Sequence, residues 1–556
     1  MITTRFTLLA ALVSATLANP LLGRIHQQRS DPPQGFTAAG FAPQDEAITF
    51  RIALTQRNFP GLEKALYAAA TPGSAQYGEY LNKAQVNEYA SPSEEAVASA
   101  EFTLYEAEGM DGTIMRTPSY VIPEMVKNYV AAVHPTTVFP LIGNQRMQGV
   151  KNITVSRPSN NASTHLFSRV AANNIPPSCL PGPEDDPIAY TRPYSLPCRF
   201  DLYGIPYKTV DGLVPSNSLW MSGYSNDFAN KNLTKDYIKS WRPELTDHEM
   251  FDLVTISSGM NNQLPGGAGL FGTAAVTTAL TTVANTPITF MSVGTDNSDD
   301  AIVWFIDQAN YLLELDDPPK VLVGDWPMSE FFVDKTLATS LCNSYAQLAA
   351  RGVTILHPVQ SHGVGLWWIG GPPSTCPKFY VTFPASCPYV TAVGSSSISA
   401  DGTFEEIDSF NSGGFSTYFS RPAYQDIAVP QYVAALEEGT YEGLYDPSGR
   451  GTPDVSLHQW WTMAPDAGWA YGSQSFSTYL FGSMVALLNE ELLAAGKSSL
   501  GFLNPFIYQN LDAFNDFTTG NNPGCDVEGF NATTGWDPVS GAGSPIYAKL
   551  RAAAGL

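Results

Sequence analysis

Ser473-Gln474-Ser475, with Ser477 two residues on, stands just ahead of an apolar stretch that runs into Leu487-Leu488-Asn489. A serine hydroxyl can attack a carbonyl, but only when a neighbouring base takes its proton; alone it is a poor nucleophile at any physiological pH. A serine in a polar run before a helix can equally be a helix cap. Two aspartates form the second candidate group: Asp516 in Asn515-Asp516-Phe517, and Asp537 in Gly535-Trp536-Asp537-Pro538-Val539-Ser540-Gly541. Each either caps a turn or offers oxygen to a hard cation, and a nearby glycine lets backbone fold around an ion. By contrast, residues 266–284 contain no ionisable side chain.

These residues need a scaffold, and the pattern upstream of them supplies one. Apolar strands at 288–293, 320–323 and 353–356 alternate with helical stretches at 300–313 and 330–350. Such alternation predicts a parallel sheet with helices on both faces. A separate unit precedes it over residues 45–145. There 48–55 alternates as a strand, 60–70 reads as a helix, and Ser91-Pro92-Ser93-Glu94-Glu95 is a helix start with cap, first-turn proline and acids facing the dipole. Residues 146–195 are rich in Asn, Ser and Pro, lack periodicity and read as a linker. No internal repeat interrupts the chain.

Composition narrows the function classes. The 556 residues, 44% of them hydrophobic, suffice for a large core and two folded units. A net charge of −23 argues against nucleic acid and anionic membrane surfaces as partners. Arg5, the apolar run 6–17 and Thr16-Leu17-Ala18 read as a signal peptide over residues 1–18, too short to span a bilayer. Secretion to the extracellular space is therefore expected. The sequons at Asn152, Asn161, Asn232 and Asn531 fit a secreted glycoprotein. An oxidising compartment makes disulfides of the six cysteines, and Cys179 and Cys198, close in sequence, are expected to pair.

The C-terminal motifs, together with Leu503-Asn504-Pro505, resemble those of the sedolisins, the serine-carboxyl peptidases that include tripeptidyl peptidases. Tyr77-Gly78-Glu79-Tyr80-Leu81 and the Ser-Pro-Ser helix are similar to the sedolisin prodomain. Ser412-Gly413-Gly414-Phe415 and Gly451-Thr452-Pro453-Asp454 match the family framework. The resemblance covers nearly the whole chain after the signal peptide. It implies a subtilisin-like α/β fold over 196–556, preceded by a ferredoxin-like α+β prodomain. It also implies pairing of Cys342 with Cys525, which leaves Cys376 for Cys387.

In that family a Glu takes the serine proton, an Asp one helical turn away orients the Glu, and a second Asp donates to the oxyanion. The resemblance places the nucleophile on Ser475, with Tyr479 where the family has a proline. The Glu and Asp positions fall on Phe271 and Ala275, and the oxyanion acid on Ser361. His362 beside Ser361 could act as a base, but no acid is evidently set to orient it. Asp325, in the Asp325-Trp326-Pro327 that replaces a family Ser-Tyr-Gly, could enter the cleft as a stray carboxylate, and has less support still. The same resemblance implies one Ca²⁺, held by the Asp516 and Asp537 side chains and the carbonyls of Phe517, Thr533 and Gly535. The expectation is a secreted, monomeric, calcium-binding pseudopeptidase whose cleft takes a peptide or protein ligand. The alternative is a peptidase active at acidic pH through a rearranged site.

Overall fold

The computed structural model describes residues 23–32, 36–43, 50–90, 103–107, 113–123, 130–137, 151–154, 175–180, 191–208, 212, 214, 216–246, 250–264, 269–294, 301–366, 376–399, 402, 404–467 and 469–556. The expected signal peptide and the helix expected from Ser91 lie outside these residues.

The sheet that organises the molecule has eight strands among the described residues. Its parallel run is Asp252–Ile256, Ile288–Val293, Leu219–Tyr224, Val321–Val323, Thr354–Pro358, Thr391–Ile398 and Val455–His458. Glu405–Ile407 joins Thr391–Ile398 antiparallel at the end. Ile288–Val293 is buried at every position, as a central strand covered on both faces must be. Helices Leu270–Thr282 and Gln474–Ala494 contribute to one apolar core. Helices Ala301–Glu314 and Lys335–Ala350 contribute to a second. The α/β architecture with helices on both faces is therefore the observed one.

Helix Gln474–Ala494 is buried at every residue from Gln474 to Glu490, so it crosses the interior and does not lie on the surface. Gly482 lets it approach the sheet: a Cβ there would lie 2.3 Å from Val323 Cγ2. That approach sets the helix N-terminus, with Ser475, over the carboxyl end of strand Val321–Val323. The carboxyl ends of parallel strands are where ligands bind in such sheets.

Upstream, strand Arg51–Leu54 pairs antiparallel with Val130–His134. Helix Phe59–Ala70 has Asn58 as its cap and buries Leu62, Leu66, Ala69 and Ala70. Leu62, Leu66 and Ala70 belong to the second core together with Leu337, Leu341 and Tyr345 of helix Lys335–Ala350. Arg51 adds a two-pronged bond to Asp307, both contacts 2.9 Å. The Tyr80 ring fills a hollow between Gly352 and Gly501, and its hydroxyl donates to the Leu500 carbonyl. Farther along, Lys151–Thr154 pairs antiparallel with Trp469–Gly472, the strand that leads into Ser473.

Two expectations are corrected. The helix expected over 330–350 begins only at Lys335, capped by the Asp334 carboxylate on the N–H groups of Thr336 and Leu337. Glu330–Phe332 is instead a 3-10 turn, held away from the helix because Glu330 accepts from Ser416 Oγ and Thr417 N. The disulfides are Cys179–Cys198, Cys342–Cys387 and Cys376–Cys525. Cys179–Cys198 is as expected, whereas the Cys342–Cys525 and Cys376–Cys387 pairings are wrong. Cys342 and Cys387 lie in the same apolar core, with Cα atoms 5.7 Å apart. Cys525 instead lies beside the Val364 segment, where Cys376 meets it at a Cα separation of 5.2 Å.

Candidate active site

A cleft at the carboxyl end of the sheet is lined by Phe271, Asp325, Trp326, Ser361, Gln474 and Ser475, among others. The structure thus brings Phe271, Ser361 and Ser475 to one place although they are far apart in sequence.

Ser475 lies in the first turn of its helix. Ser473 is the cap, in extended backbone, and its hydroxyl accepts from the Ser475 N–H. Ser475 itself donates its hydroxyl to Asp325 Oδ1 at 2.6 Å. Tyr479, one turn along the same helix face, donates to Asp325 Oδ2 at 2.9 Å. Asp325 is 5% exposed. A buried carboxylate is costly unless donors surround it, and here two hydroxyls and the start of a helix do so. The loop bearing Asp325 rests on His357: a Cβ at Gly324 would lie 2.0 Å from His357 Cε1, so only glycine fits there. Burial pushes the His357 imidazole down to about 3, opposed by a hydrogen bond to the Asp325 backbone.

Where the resemblance put the base and its orienter there is no carboxyl group. Phe271 packs its ring on Phe476, centroids 5.6 Å apart, an aromatic contact worth about 1 kcal/mol beyond its buried area. Ala275, one turn behind, is fully buried in the core. Ser361 donates its hydroxyl to Gln474 Oε1 at 2.8 Å. His362 follows Ser361 but is not among the residues lining the cleft, and burial pushes its imidazole down to about 4. The geometry reverses the expected order of the two substitute bases: Asp325, not His362, reaches Ser475. The sequence held one sign of this, an acid two residues beyond a strand of the parallel sheet. Tyr479 and Gln474 gave no sign as site residues.

The second candidate group sits in the C-terminal loops. Asp516 Oδ2 accepts from Gly535 N at 2.8 Å, which ties the two segments together. Asp537 Oδ2 accepts from Thr533 N at 2.9 Å, and its Oδ1 accepts from Val539 N, Ser540 N and Ser540 Oγ. Burial pushes Asp537 up to about 7 and Asp516 upward as well. Asp516 Oδ1 is buried with no hydrogen-bond partner. A hard cation takes carboxylate and carbonyl oxygens, and an orphaned carboxylate oxygen is what one would satisfy. The residues present fit such an ion. Among the described residues no three His, Cys, Asp or Glu side chains converge on a metal position, so backbone carbonyls such as those of Phe517, Thr533 and Gly535 would have to complete the shell.

Comparison with known proteins finds relatives over nearly the whole chain. The family model described as "Pro-kumamolisin, activation domain" matches residues 34–101. Tripeptidyl-peptidase SED4 of Arthroderma otae is 28% identical, over 98% of this chain and 96% of its own length. Tripeptidyl-peptidase sed4 of Aspergillus fumigatus is 27% identical, over 96% of this chain and 97% of its own. Among solved structures, Pseudomonas sedolisin complexed with pseudo-iodotyrostatin aligns with 63% of this chain and 95% of its own, at 19% identity and a TM-score of 0.45. The fold is that of an α/β protein preceded by an activation domain. The chain is similar to tripeptidyl peptidases over nearly its whole length.

Proposed function

We propose that this protein is a secreted, calcium-binding pseudopeptidase: a sedolisin-type cleft that binds peptide segments without turning them over by the family mechanism. One observation carries the reading. The Phe271 ring, packed on Phe476, occupies the position that the resemblance assigns to the proton acceptor, and the position it assigns to the orienting acid is the buried Ala275. Loss of one member of such a catalytic set costs several orders of magnitude in turnover. Calcium, held by Asp516, Asp537 and the neighbouring carbonyls, would have a structural role, bracing loops remote in sequence from the cleft residues. The relatives' names supply the ligand class, a peptide; none of the described helices is long and apolar enough to cross a membrane.

The test is hydrolysis of a mixed peptide library between pH 3 and 7, beside Ser475→Ala, with peptide binding measured by calorimetry. Binding without cleavage, equal in both proteins, is the expected result. The second reading, a peptidase acting at acidic pH through a rearranged site, is favoured by the contact between Ser475 and Asp325. Cleavage abolished by Ser475→Ala would select it. N-terminal sequencing of the exported protein tests the signal peptide, with a start after Ala18 expected.

A further inference from the structure

The Ser475–Asp325–Tyr479 cluster has the parts of a nucleophile, a base and an orienting group, assembled from a carboxylate that the family pattern does not use. The Ser475 hydroxyl already points its proton at Asp325 Oδ1, 2.6 Å away. Tyr479 holds the other carboxylate oxygen at 2.9 Å and so fixes the plane of the acceptor. All three are buried, and Ser475 and Asp325 line the same cleft. Preorganised contacts of this kind are what general-base activation of a serine requires.

The rest of the cleft limits what such a serine could attack. An amide needs strong stabilisation of its oxyanion and a proton for the departing nitrogen. Here the oxyanion position carries Ser361, whose hydroxyl is engaged by Gln474 Oε1. Loss of one oxyanion donor alone costs about 10²–10³ in rate. An ester with an acidic leaving group needs less of both, because its leaving oxygen departs as an anion.

We propose that Ser475, with Asp325 as its base and Tyr479 as a positioning residue, is acylated by activated esters, so that the cleft has an acyl-transfer activity toward oxygen esters. Ser475 Oγ forms the bond to the acyl carbon while its proton passes to Asp325 Oδ1. The bond from the acyl carbon to the leaving oxygen breaks, and the electron pair leaves with the phenolate. Asp325 releases its proton to water; in deacylation a water adds to the acyl carbon as Asp325 takes its proton, the bond from the acyl carbon to Ser475 Oγ breaks, Asp325 returns the proton to Oγ, and the carboxylic acid leaves with the serine hydroxyl restored. This activity goes beyond peptide binding and stands whether or not a peptide binds.

The experiment uses the full chain and 4-nitrophenyl acetate. A burst of nitrophenolate is expected, together with an acetyl adduct mapped to Ser475 by peptide mass spectrometry of the wild-type protein. Ser475→Ala should abolish both. Asp325→Asn should slow acylation by about 10² or more, the usual contribution of a general base. Tyr479→Phe should leave the adduct on Ser475 but move the acidic limb of the rate–pH profile upward, a change that mere loss of packing would not produce. Melting curves of the variants separate a lost reaction from a lost fold. An unmodified Ser475 in wild-type protein, or equal bursts from wild type and Ser475→Ala, would overturn the proposal. Failure of peptide binding beside a positive burst would overturn only the peptide-binding reading.

Discussion

At the cleft floor Asp325 is held by two side-chain hydroxyls, those of Ser475 and Tyr479. In the C-terminal loops Asp537 is held by the backbone N–H groups of Thr533, Val539 and Ser540, and by one hydroxyl. Both carboxylates are buried, yet their donors differ in kind. A side-chain donor can be exchanged by a single substitution with the backbone left where it is. A backbone donor is fixed by the path of the loop, and removing its acceptor orphans a group that cannot move away. The cleft can therefore be rewired cheaply, whereas the loops cannot. That contrast fits the proposed reading, in which the framework is kept and the cleft is altered.

The sharpest way to break the comparison is Asp537→Ala. It leaves the buried N–H groups of Val539 and Ser540 and the half-buried one of Thr533 without an acceptor and should cost about 4 kcal/mol, read as a lower midpoint in urea or as failure to be exported. A cost under about 1 kcal/mol would mean that the loops are as adaptable as the cleft. Calcium comes next. At a hundredfold excess over its dissociation constant the ion should stabilise the fold by about 2.7 kcal/mol, seen as a melting temperature that rises with Ca²⁺ and falls on chelation. An unchanged melting temperature would remove the ion from the account.

The third prediction concerns acid. His357, under the Asp325 loop, is buried with its pKa lowered from 6.5 to about 3. The unfolded chain therefore takes up a proton that the folded chain refuses. This contribution to stability is intact above about pH 6.5 and is lost as pH falls toward 3, by about 2 kcal/mol between pH 7.5 and 5. His357→Gln should flatten the pH dependence of stability by that amount. The smallest effect is expected from Asp325→Asn, about 1 kcal/mol in urea, because the amide oxygen still accepts one of the two hydroxyls. A large loss there would make the cleft carboxylate as structural as Asp537.

Much of the scaffold was legible in the chain because its signals are local. Strand Ile288–Val293 is a short, mostly apolar segment, and helix Phe59–Ala70 begins with proline at its first turn. Legibility failed where distant residues decide. Glu330 looks like a helix start, but contacts with Ser416 and Thr417 hold it in a separate turn. Cys342 and Cys387 pair because a helix and a loop meet in the second core, and spacing does not encode that. Asp325 and Ser475 are 150 positions apart. Only the crossing of helix Gln474–Ala494 over strand Val321–Val323, permitted by Gly482, brings them together. Once the resemblance assigns acids to Phe271 and Ala275, their absence is plain in the sequence, since no ionisable residue lies anywhere in 266–284. The replacement could not.

The seating of Tyr80 between Gly352 and Gly501, with Leu62 and Leu66 in the common core, has a practical consequence. A protease that cut the linker would sever the polypeptide without releasing its first part. A nicked molecule would then run as two bands on a denaturing gel and as one species on a sizing column, so covalent integrity and retention of the N-terminal unit have to be assayed separately.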